Sequence, residues 1–188
     1  MDQNMTKPYE VMRTAALALV VLLSGCAHTV ANDAAIGRYV FDFYEENHSW
    51  GHTLRGFVIE RDGGVRMYDH SDTRWTPEQN RSGRLAEADL AAKFHGTKIP
   101  LTLAADEVRV KALLLPAAAR GKITRESQAR DRGRFGYVGY IYDPARSSYR
   151  VVVIGADGDW LETNTSPAAQ ELLTWLKEVK DKVSDAQR

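Results

Sequence analysis

A chain of 188 residues with 25 basic and 25 acidic side chains has no net formal charge at pH 7. That balance argues against a nucleic-acid partner, because polyanion binding draws on a surplus of Lys and Arg. The one cysteine, Cys26, excludes an intrachain disulfide, and the length fits one domain able to bury a core without covalent staples.

The N-terminal segment places Arg13 before an apolar run, Ala15 to Leu23, which ends in Leu23-Ser24-Gly25-Cys26. Nine apolar residues fall far short of the roughly 20 that span a bilayer. A basic residue, a short apolar run and small residues before a cysteine make a secretory signal. The ending resembles the lipobox of bacterial lipoproteins, and that resemblance implies cleavage between Gly25 and Cys26, with lipid on the Cys26 sulfur and on the new amino end. Several acyl chains hold a protein on a bilayer where one binds only marginally. Ala27, in place of the aspartate that retains such proteins in the inner membrane, implies the outer membrane, with the domain facing the periplasm. Asp2 and Glu10 are out of place in a basic leader, and translation from Met12, which removes both, is the expected start.

Residues 26–37 are mostly small or polar and read as a short tether, so 38–188 form the expected single domain. Arg38 to Glu46 is aromatic-rich and predicts a first strand, with Tyr39, Phe41 and Phe43 on one face. Leu54 to Asp69 predicts a hairpin. A three-residue Asp62-Gly63-Gly64 loop pairs Ile59 with Met67 and Glu60 with Arg66, gathering Phe57, Ile59, Val65 and Met67 on one face. Residues 71–84 read as loop.

Leu85 to His95 predicts a short helix closed by Gly96, and Asp106 to Leu115 a second with Val108, Ala112 and Leu115 inward, ended or kinked at Pro116. Gly121 to Gly136 carries Lys122, Arg125, Arg130, Arg132 and Arg134 against Glu126 and Asp131. It reads as a solvated basic loop, with docking on anionic lipid or glycan as the competing use. Tyr137 to Tyr142 and Tyr149 to Ile154 predict a second hairpin around Pro144, its second strand central because it is apolar on both faces. Ser166 as N-cap, Pro167 in the first turn and Leu172, Trp175, Leu176, Val179 and Val183 at helical spacing predict a C-terminal helix across the sheet. The expected class is α+β: an antiparallel sheet of hairpins covered by that helix and one or two others.

Candidate sites are few. His48 and His52 flank Trp50-Gly51; on a strand they stand about 13 Å apart, too far to share an ion, and no metal or other cofactor is expected. Asp69-His70-Ser71 holds triad residue types, but consecutive strand residues point to opposite faces. Asp157-Gly158-Asp159 departs from the calcium-loop pattern and reads as a turn. Trp50, Gly51, Tyr68 and Trp75 form the candidate binding surface, since aromatics dominate interface cores.

The spread of Trp50-Gly51, Gly56, Ile59, Asp62-Gly63, Tyr68, Tyr140-Ile141-Tyr142, Gly158-Asp159, Asn164 to Ala169 and Trp175-Leu176 is similar to small uncharacterised bacterial envelope lipoproteins. No activity comes with it. The expected function is non-enzymatic: a domain, held at the membrane through lipidated Cys26, that binds an envelope protein or glycan. The alternatives are an inhibitor or immunity protein against a cell-wall hydrolase, and an envelope enzyme assembling His48, His52, His70 and Asp69.

Overall fold

A computed structural model of the chain describes residues 36–49, 51–71 and 84–188. The signal segment with Gly25 and Cys26, most of the tether and the 71–84 loop, and the candidates Trp50 and Trp75 lie outside the described residues. The fold is α+β, as the hydrophobic patterning predicts.

Among the described residues nine strands form one antiparallel sheet: β1 (Tyr39–Asn47), β2 (Thr53–Glu60), β3 (Gly64–Asp69), β4 (Arg84–Ala86), β5 (Thr97–Thr102), β6 (Ile123–Ser127), β7 (Arg134–Asp143), β8 (Ser148–Gly158) and β9 (Trp160–Asn164). Their spatial order is β5-β3-β2-β1-β7-β8-β9-β6, with β4 paired to the start of β8. The helices are α1 (Glu87–Lys93), α2 (Ala105–Ala112), α3 (Leu115–Ala118) and α4 (Pro167–Ala186).

Each face of the sheet carries its own core. On one, α2, α3 and α4 cover Phe41, Phe43, Phe57, Ile59, Val152 and Ile154. The five helical positions foreseen in α4 are all buried, and the Ser166 side chain accepts from the Ala169 N–H at 3.1 Å. The α2 helix ends at Ala112 ahead of Pro116, which sits in the first turn of α3, while Val108, Ala112 and Leu115 point inward. On the other face Leu85, Leu90 and Phe94 pack against Val58, Val138, Tyr140 and Tyr149.

The structure corrects several expectations. Tyr39 does not share a face with Phe41 and Phe43: the register slips at Val40, so Tyr39 joins the opposite core. The first hairpin closes one residue earlier than predicted, through Arg61-Asp62-Gly63. Gly63 takes the left-handed conformation (φ 85°) and its N–H bonds the Glu60 carbonyl at 2.9 Å. Ile59 therefore faces Val65 and Phe57 faces Met67; a displacement of two in pairing leaves the predicted apolar face intact. Ile36, at the end of the expected tether, is buried in the core and belongs to the folded domain. The helix expected from Leu85 begins at Glu87, because Leu85 is spent in β4. The basic segment is not all loop: Ile123–Ser127 pairs with β9 as an exposed edge strand. Among the described residues no helix is long and apolar enough to cross a membrane.

Candidate binding cleft

A cleft of about 710 Å³ is lined by residues of β1, β2 and β3, by His95 to Thr97 and by the C-terminal turns of α4. Its floor is apolar. Phe43 and Phe57 stack with ring centroids 5.5 Å apart, beside half-buried Met67 and buried Val183. Phe43, Phe57 and Met67 lie side by side on one face by the period of two, and of the three only Met67 is partly exposed.

The rim is charged in both senses. Arg55 holds Glu45 at 2.9 Å, the Lys180 ammonium sits 4.8 Å from the Phe43 ring centroid, and His95 and Asp69 stand opposite the helix. The Ser71 hydroxyl and backbone N–H hold the Asp69 carboxyl below its ordinary range. Such a cleft takes an apolar group and orients it by charge.

The predicted binding residues fare unequally. Tyr68 borders the cleft but is only 3 % exposed, and its hydroxyl donates to Asp42 at 2.7 Å on the far side of the sheet. It is a core residue and presents no surface. Gly51 is exposed, and its φ of 116° serves the turn between β1 and β2, where a side chain would be strained.

That turn also overturns the histidine spacing argument. His48 and His52 do not lie along a strand; the β1–β2 reversal brings their rings to 5.2 Å between centroids. They turn to different partners nevertheless, His48 Nε2 to Glu46 at 3.2 Å and His52 Nδ1 to the His70 carbonyl at 3.2 Å. His70 Nε2 lies 2.6 Å from the Lys93 carbonyl, and Asp69 accepts from the Ser71 N–H at 2.8 Å. Of the four side chains weighed for catalysis, Asp69 lines the cleft beside α4 and His48 lines a separate recess. Among the described residues no group of three His, Cys, Asp or Glu is arranged to hold a metal ion. Asp157-Gly158-Asp159 forms the β8–β9 turn, with Gly158 at φ 127°, and Asp159 accepts from the Arg132 N–H at 2.8 Å.

A polar cluster escaped the sequence reading. Asp42, fully buried, accepts from Lys93 Nζ at 2.5 Å, from Tyr68 and from Tyr140 at 3.0 Å. Burial, followed by the nearby Asp42 charge, pushes both tyrosine hydroxyls well above their ordinary range, so they stay neutral donors. The available signal was an aspartate flanked by Phe41 and Phe43 in a strand covered on both faces, where an acid has to be paired.

No family model, no curated protein and no solved structure matches the chain.

Proposed function

We propose that the chain is a lipid-anchored lipoprotein of the bacterial envelope whose domain binds another envelope protein, without catalysis, through the cleft beside α4. The observation that carries this reading is the cleft at the end of α4, where half-buried Met67 lies beside the buried rings of Phe43 and Phe57 and both signs of charge ring the opening. Aromatic floors of this kind anchor a partner's apolar side chain, while rim charges set orientation and on-rate. The lipobox resemblance supplies the compartment, and the placement of Asp69 and His48 in two different recesses supports binding over catalysis.

The test is crosslinking and pull-down of the full lipidated protein from envelopes. Thr97→Arg and Ser184→Arg serve as controls, both at exposed rim positions that tolerate a larger side chain. A stoichiometric partner held by the wild type and lost by both variants is expected. No partner, or one that both variants retain, contradicts the reading.

A further inference from the structure

A second recess, of about 240 Å³, lies where the β1–β2 turn, the start of β7 and the β6–β9 pair meet. We infer that it binds one ring of a neutral saccharide, with Trp160 as the stacking wall and Arg134, Arg125 and Glu162 as the polar contacts. This site is separate from the cleft beside α4, and the inference stands independently of it.

Three observations carry it. First, Trp160 is 43 % exposed on a surface strand instead of packed inward, and the Arg125 guanidinium lies 4.2 Å from its ring centroid, holding the indole in place. Second, the polar groups are fixed before any ligand arrives: Glu162 accepts from Arg134 Nη2 at 2.6 Å and faces Arg125 Nε at 3.5 Å. Arg134 Nε is nevertheless buried with no acceptor among the described residues, a donor whose desolvation is uncompensated. Third, Glu46, Glu162 and Asp159 outnumber Arg125 and Arg134 along the walls. A free anion gains little there, whereas a hydroxyl both donates and accepts and so suits mixed walls.

Size narrows the class further. Drug-sized ligands occupy pockets of roughly 300–1,000 Å³, so this recess admits about one ring. A pyranose with equatorial substituents offers a flat C–H face to the indole and a rim of hydroxyls to the arginines and carboxylates.

The test uses full-length protein in a sugar-free detergent, titrated calorimetrically with the β-1,4 trimer of N-acetylglucosamine and, separately, with a trimer of galacturonate. The neutral trimer is expected to bind with Kd of about 1 mM or tighter and the anionic trimer more weakly. Trp160→Ala should weaken the neutral trimer about tenfold or more, a loss of about 1.4 kcal/mol. Trp160→Phe should restore most of it, and Ser184→Arg in the other cleft should leave it unchanged. Absence of neutral-trimer binding, preference for the anionic trimer, or binding indifferent to Trp160→Ala with the melting temperature unchanged, each overturns the inference.

Discussion

Asp42 carries a charge fully out of water, and its three donors come from α1, β3 and β7. Breaking a buried pair by removing one partner costs about 3–5 kcal/mol, because the remaining charge is stranded. Asp42→Asn should therefore lower stability by about that amount in urea unfolding. Lys93→Met should cost less, because two tyrosine hydroxyls still donate to the carboxylate. At the surface, the Arg146 side chain, with Arg84 nearby, holds the Asp143 carboxyl below its usual value of 3.8. A depressed carboxylate contributes stability above its unfolded value and loses it as pH falls through the folded one. Asp143 should thus titrate below 3.8 by NMR and move upward in Arg146→Gln. Burial raises Tyr149 to about 12, so its contribution is complete below pH 10 and is lost as pH rises toward 12. Absorbance titration should find this tyrosine ionising only as the protein unfolds in alkali.

The elements that announced themselves are those whose local signals agree. In α4 the cap, the proline and the apolar stripe all point one way. Ser166→Ala should cost about 1 kcal/mol by urea unfolding, the usual worth of an N-cap side chain. The two hairpins were legible for the same reason. β4, β5, β6 and β9 were not: three to six residues each, largely polar or interrupted by Pro100, they acquire strand geometry by pairing, β4, β5 and β6 with neighbours distant in sequence and β9 with both β6 and the adjacent β8. The Val40 bulge was hidden too, because a register slip is set by the partner strand and leaves no mark on the slipping one. The candidate site was read in part: the stretch around Tyr68 does border the cleft, but its aromatic side chain serves the core. Phe43, Phe57 and Met67 were foreseen as apolar strand residues, and that a cleft opens beside them at the end of α4 is a matter of tertiary placement which no local pattern encodes.

For the whole molecule, the proposed lipid on Cys26 and the proposed docking cleft are tested separately. Cys26→Ser should abolish palmitate labelling in cells and move the protein from the membrane to the soluble fraction, with the melting temperature of the domain unchanged. The central claim, that the cleft beside α4 is where a partner protein docks, is tested most directly by photo-crosslinking in living cells. A benzophenone amino acid is placed in turn at Thr97 and Ser184 on the rim, and at Val110, which is 54 % exposed on α2 away from the cleft. The account predicts one discrete adduct from positions 97 and 184 and none from 110. No adduct from the rim, or equal adducts from all three positions, would contradict it.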